Sequence, residues 1–179
     1  MTIDRRTMVG LAAAAVAAGP AALAEPAASG IIVNALGGLG DPNRPGQGLV
    51  PEPSPRVLAE AHASGVTMIN VTLGYVSGAD DPFEASVRDI AATDALIRAH
   101  GQDLLKVWTA ADIRRARREG RIGLLYGFQN GAMLGQDVRR VDLFADLGVR
   151  VFQLTYNPAN QIGDGSMAPL NRGLTPFGR

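Results

Sequence analysis

With 179 residues, 17 basic and 17 acidic side chains and 46% hydrophobic content, the chain has the composition of a neutral globular protein. Zero formal net charge argues against nucleic acid and anionic membrane as partners, since both favour an excess of positive charge. With no cysteine there is no disulfide framework, thiolate metal site or cysteine nucleophile, and two histidines, His62 and His100, leave any internal metal site poor in imidazole.

Residues 1–24 read as an export signal. Arg5 and Arg6 form a twin-arginine pair, an alanine-rich apolar run follows from Val9 to Ala18, and Ala22-Leu23-Ala24 is a cleavage site. The run is too short and too alanine-rich for a comfortable transmembrane helix. An amphipathic N-terminal helix and an uncut membrane anchor are the alternatives. The expected location is periplasmic, and a membrane is met only through export or an uncut signal.

After a linker to Gly30, Ile31–Leu36 reads as the first strand, followed by a Pro/Gly-rich loop from Gly37 to Pro53. A loop this long at a strand's C-terminal end is often functional. It lacks G-x-x-x-x-G-K-[ST], and no helix follows at once, so it does not read as a phosphate loop. Ser54 caps a helix with Pro55 at its first position, running to about Ala63 before Gly65. Val66–Leu73 is the second strand, with Asn70 and Thr72 alternating with apolar neighbours. Asp81-Pro82-Phe83-Glu84 opens a helix that Gly101 stops. His62 and His100 lie near helix C-termini and read as surface residues that favour the helix dipole. Leu104–Trp108 is a short extended segment. Thr109–Asp112 opens a helix ending at Gly120, whose Arg114, Arg115, Arg117 and Arg118 read as a solvated face.

Ile122–Phe128 is an apolar run, as a strand buried on both faces should be, and Gln129 and Asn130 follow it. A helix built on Val138, Val141, Phe144 and Leu147 ends at Gly148. Val149–Thr155 is the fourth strand, followed by Tyr156, Asn157 and Asn160. Strand–helix alternation with polar groups massed past strand ends is the unit of an α/β barrel or open α/β sheet, and both bind ligands at that end. The fold expected is α/β, the first half of a (β/α)8 TIM-like barrel with about four strand–helix units. A closed barrel usually needs about 250 residues. Residues 25–179 are therefore expected to be the N-terminal half of a longer domain, with a compact four-stranded domain as the alternative. Half a barrel exposes strand edges, which predicts poor solubility or an oligomer.

Three stretches carry a resemblance: YGFQNGAMLG from Tyr126, DLFADLGVRVFQLTYNPANQIGDG from Asp142, and GLTPFGR from Gly173. They closely resemble the membrane (renal) dipeptidase family of zinc peptidases, continuously over roughly the last 60 residues and more loosely from Ile31. The resemblance implies a barrel with two zinc ions at its C-terminal face and a small peptide as substrate. It implies an H-x-D pair after the first strand, falling here on Leu36 and Gly38. A bridging glutamate after the third strand falls on Gln129, and a substrate-contacting histidine falls on Tyr156. Two further histidines and a catalytic aspartate belong to later strands, so the catalytic residues lie beyond Arg179 and residues 1–179 alone are expected to be inactive.

The cofactor implied by the family is zinc. Neither Leu36 nor Gly38 ligates through its side chain, and the neutral amide of Gln129 lacks the charge that offsets repulsion between two cations. Asp41 or Asn43, from the long loop, are the candidate substitutes. The substrate-binding candidates are Tyr156, Asn130 and Asn157, and the metal candidate is Gln129. The competing reading makes Gln129 and Asn130 a hydrogen-bonded turn, and Asn157, Asn160 and Asp164 turn formers. Ser166 has no nearby histidine and no Gly-x-Ser-x-Gly occurs, which argues against a serine hydrolase. Two functions follow: a metallohydrolase of dipeptides or related small amides as the complete protein, or a non-catalytic periplasmic relative that binds small peptides through Gln129, Asn130 and Tyr156.

Overall fold

The computed structural model describes residues 30–44 and 50–179. Arg5, Arg6, Ala22 and Ala24, and with them the export signal, lie outside the described residues.

The elements are β1 (Ile32–Gly37), α1 (Pro55–Ala63), β2 (Val66–Thr72), α2 (Pro82–Ala99), β3 (Leu104–Lys106), α3 (Ala110–Glu119), β4 (Ile122–Phe128), a 3-10 turn (Ala132–Leu134), α4 (Arg140–Asp146) and β5 (Val149–Phe152). Helix starts follow local chemistry. Ser54 accepts a hydrogen bond from the Val57 amide at 3.3 Å, Asp81 accepts from Glu84 at 2.8 Å, and the Asp112 carboxylate accepts from the Thr109 amide at 2.9 Å. None of the described helices is long and apolar enough to cross a membrane.

Every strand pair in the sheet is parallel. The long strands run β1-β2-β4-β5, the order of four successive barrel strands. The segment expected to be merely extended is β3, and it shares one edge of β4 with β5. On that edge Ile122 donates to the Asp103 carbonyl at 2.7 Å, Val107 donates to Leu124, and Gln153 donates to Phe128, each at 2.9 Å. On the other edge Leu73 donates to Gly127 at 2.9 Å. Successive backbone groups point to opposite edges, so β3 takes the first half of one β4 edge and β5 the second half. The fourth strand stops at Phe152 rather than Thr155, because Gln153 turns out and its side-chain amide donates to the Thr155 carbonyl at 2.9 Å. Helix α4 begins at Arg140, after a turn that leaves Val138 66% exposed.

Side-chain alternation divides the sheet into two faces. Ile122, Leu124, Tyr126 and Phe128 of β4, with Ile69 and Val71 of β2, pack against α1, α2 and α4 through Val57, Ile90 and Phe144. On the opposite face Met68, Leu105, Val107 and Ala116 form a smaller cluster, joined by Ile113 and Leu125. Helix α3 thus covers the N-terminal half of that inner face. Among the described residues, the half beyond it, at the strands' C-terminal ends, stays open.

One ionic group is built into the helix-side layer. The Lys106 ammonium donates to Asp94 at 2.9 Å and to the Leu147 carbonyl at 2.8 Å, and lies 4.3 Å from the centre of the Tyr126 ring. The Tyr126 hydroxyl donates to the same Asp94 oxygen at 2.7 Å. Burial, with Asp94 beside it, pushes this phenol far above its usual pKa and fixes it as a donor.

Asp89 shows what burial costs. Its carboxylate accepts from the Gly74 amide at 3.0 Å, and desolvation raises its pKa above the ordinary 3.8 despite that bond and the nearby Arg88. A raised folded pKa means that the folded state holds this proton more tightly than the unfolded state. Stability is therefore lost as pH rises from about 3.8 through the folded value. Asp89→Asn keeps an oxygen to accept from Gly74. The variant should match the wild type in urea unfolding at pH 3.5 and exceed it at pH 7; equal offsets at both pH values would refute the assignment.

Candidate functional site

The open half of the inner face is a cleft of about 170 Å³ to which each of the four long strands contributes. Ala35 and Leu36 come from β1, Asn70 and Thr72 from β2, Gly127 and Gln129 from the end of β4, and Val151 and Gln153 from β5 and its exit. All of these side chains are uncharged. The arrangement follows from strand periodicity: residues two apart share a face, so Asn70 and Thr72 point where Gly127 and Gln129 point.

Asn70 anchors the β1 side. Its amide donates to the Ala35 carbonyl at 2.9 Å, across the register shift that β1 makes between Asn34 and Gly37. Its side-chain oxygen is buried with no hydrogen-bond partner among the described residues. That oxygen faces Gly127 so closely that an added Cβ there would sit 2.3 Å from it. A glycine leaves room opposite this oxygen that any side chain would take. Gly127→Ala should therefore cost about 1–3 kcal/mol, the usual range for overpacking. A double-mutant cycle with Asn70→Ala should show a coupling of about 1 kcal/mol or more in urea unfolding; additive effects would disprove the contact.

The two residues that follow β4 part company. Gln129 lines the cleft, and no hydrogen bond holds its carboxamide among the described residues. Asn130 is 1% exposed and does not line the cleft. Its amide donates to the Val76 carbonyl at 2.9 Å, and its oxygen accepts from the Ala132 amide at 2.9 Å and from the Asn160 side chain at 2.8 Å. It ties together the loops that follow β2, β4 and β5.

Tyr156 and Asn157 are half-buried and lie in the loop after β5, away from the cleft lining. The Tyr156 carbonyl accepts from the Ser166 amide at 2.8 Å, and the Asn157 side-chain oxygen accepts from the Ser166 hydroxyl at 2.9 Å. Asp164 closes the same loop against Arg172 at 2.8 Å, and those hydrogen bonds hold its carboxyl below the usual range.

Of the positions matched to metal ligands, Leu36 and Gln129 line the cleft, whereas Gly38 flanks an apolar pocket with Leu39, Val50 and Pro51. Asp41 accepts from the Ser54 hydroxyl at 2.7 Å, the Asn43 amide at 2.9 Å and Arg56 at 2.5 Å. The Ser54 bond leads the causes that lower its pKa, and the whole group serves the start of α1. His62 pairs with Asp103 at 2.9 Å and His100 with Glu52 at 2.5 Å. Among the described residues no three His, Asp or Glu side chains gather to hold a metal ion. The cleft's donor set of carboxamides and a hydroxyl does not fit a zinc pair, which needs anionic or imidazole ligands.

The reading from sequence overlooked Gln153 and the part played by Gly127. Asn70 and Thr72 were noted as polar residues alternating inside an apolar strand but were not named as site residues, although that alternation is the signal that could have found them.

Comparison with known proteins decides the family. A family model described as membrane dipeptidase, peptidase family M19, matches residues 55–179. The chain belongs to the membrane dipeptidase family. An amidohydrolase from Pseudomonas aeruginosa superposes with a TM-score of 0.69 at 30% identity, over 83% of this chain and 40% of that one. A structure titled as dipeptidase AC, a metallopeptidase, gives 0.62 at 16% identity, over 83% of this chain and 51% of that one. A metallopeptidase from Rhodobacter sphaeroides, solved with a phosphinate mimic of the dipeptide L-Ala-D-Ala, gives 0.50 at 19%, over 70% and 38%. The chain thus spans about 40% of the length of the Pseudomonas amidohydrolase. Within the membrane dipeptidase fold, its four long strands are the first half of a (β/α)8-type barrel, as the sequence led us to expect.

Proposed function

We propose that this half-barrel belongs to a dipeptidase-like hydrolase of dipeptides or related small amides and forms one wall of its substrate cleft. The observation that carries this reading is an uncharged cleft, lined by carboxamides and a hydroxyl, at the C-terminal strand ends of a membrane dipeptidase fold. The dipeptide mimic held by the Rhodobacter relative supports a small peptide as the substrate class. In this wall the Gln129 carboxamide has both a donor and an acceptor to offer a peptide group, and Leu36 and Val151 supply apolar surface beside it. These groups bind and orient. The metal of the family's metallopeptidases would polarise a carbonyl and activate water, but the carboxamides and hydroxyl at these strand ends do not fit it.

Export through the twin-arginine route to the periplasm completes the proposal. Replacing Arg5 and Arg6 together by lysine should retain the product in the cytoplasm on cell fractionation. For the activity, the complete gene product should be incubated with a panel of dipeptides that includes L-Ala-D-Ala, with release of free amino acids measured by chromatography. Turnover of at least one member is expected. No turnover across the panel, with tight binding by calorimetry, would give the periplasmic peptide-binding reading instead.

A further inference from the structure

We infer that Gln129 contacts the peptide group of the bound ligand and that this half of the barrel supplies no metal ligand. The inference rests on the reading of the cleft as the substrate site. Leu36, Thr72, Gln129 and Gln153 reach the cleft, and among the described residues neither a carboxylate nor an imidazole lines it. Several acids in and around the loops that follow these strands are already engaged. Asp41 is held by Ser54 and Arg56, Asp89 by the Gly74 amide, and Asp164 by Arg172. Both histidines are paired with surface acids, Glu52 and Asp103. Moving any of these into the cleft would break a formed ion pair or cap.

The cleft's own chemistry points to a neutral ligand group. A carboxamide donates and accepts at once, which matches a peptide group's carbonyl and N–H. Asn70 has spent its amide on Ala35, and Gln153 has spent its amide on Thr155. Gln129 therefore stands as the carboxamide with its full hydrogen-bonding capacity, at the centre of the wall between β2 and β5. With no charged side chain among the described residues of the lining, this wall offers no ionic partner to an ammonium or carboxylate terminus. It suits the amide portion of a ligand, such as the middle of a blocked dipeptide.

The test uses the complete gene product and two variants, Gln129→Ala and the near-isosteric Gln129→Met. The probe is N-acetyl-alanyl-alanine amide, titrated by calorimetry. Bound metal per protein is measured in parallel by plasma mass spectrometry. Both variants should bind the probe about tenfold more weakly, the loss of one or two neutral hydrogen bonds, with metal content equal to that of the wild type. A fall in bound metal in either variant would overturn the inference, as would unchanged affinity or failure of the wild type to bind the blocked probe. Absence of peptide turnover by the wild type would sink the hydrolase reading but not this one, because neither measurement uses catalysis.

Discussion

Asn130→Ala is expected to destabilise the protein by about 2–4 kcal/mol while leaving the barrel strands paired. The substitution removes an acceptor for the Ala132 amide and the Asn160 side chain, and a donor for the Val76 carbonyl. Each buried polar group left without a partner costs about 1–3 kcal/mol. The loops after β2, β4 and β5 lose their common tie, so their amides should exchange with solvent faster while those of β2 and β4 stay protected. Asn130→Asp separates the two halves of the interaction. Its carboxylate still accepts from Ala132 and Asn160 but cannot donate to Val76, so it should fall between wild type and alanine at neutral pH. A loss below about 0.5 kcal/mol in the alanine variant, by urea unfolding, would show that the loops are held by something else.

Phe144→Ala should cost about 3–5 kcal/mol, the range for emptying a buried phenylalanine site. Helix α4 has only seven residues, and Phe144 is its one buried side chain. The ring stands edge-on to Phe128 at 4.9 Å and lies 5.7 Å from Phe83 and 6.4 Å from Phe152, so it joins α2, β4 and β5. Edge-to-face pairs add to simple burial. Phe144→Leu should recover part of the loss by filling most of the volume. Val141, on the same helix but 39% exposed, should tolerate alanine within about 0.5 kcal/mol. Equal costs at 141 and 144 in the same denaturant series would contradict the assigned helix face.

The helices were legible from their punctuation. Ser54, Asp81 and Thr109 read as starts because each offers an oxygen to an unpaired first-turn amide, and Gly148, at φ of 100°, reads as a stop because a side chain there would be strained. The placement of β3 was not legible. Three residues carry too little pattern to declare a strand, and which edge of β4 they share is a tertiary matter.

At the site, Gln129 and Asn130 have nearly the same chemistry and stand side by side, so composition could not tell them apart. Alternation could. Gln129 presents its side chain to the cleft, while the Phe128 side chain packs into the helix-side core and Asn130 lies outside the lining, and the sequence carries that distinction only once the strand's last paired residue is known. Asn70 announced itself as polar within an apolar strand, but its partner, the Ala35 carbonyl, is freed by a register shift that nothing in Ile31–Leu36 signals.

The sharing of β4 between β2 on one edge and both β3 and β5 on the other has a bearing on synthesis. About 50 residues separate the end of β2 at Thr72 from the start of β4 at Ile122, and translation at about 5–20 residues per second takes several seconds to cross them. For that interval β2 has only β1 to pair with, and β3, once made, has no strand to join. The nascent chain therefore carries a bare β2 edge until β4 leaves the ribosome, when three pairings become available in succession. Protection of the β2 amides and resistance to protease should appear together, late and abruptly, once Phe128 has cleared the exit tunnel. A ribosome stalled before that point would display an adhesive strand edge, the state in which a holding chaperone has most to do.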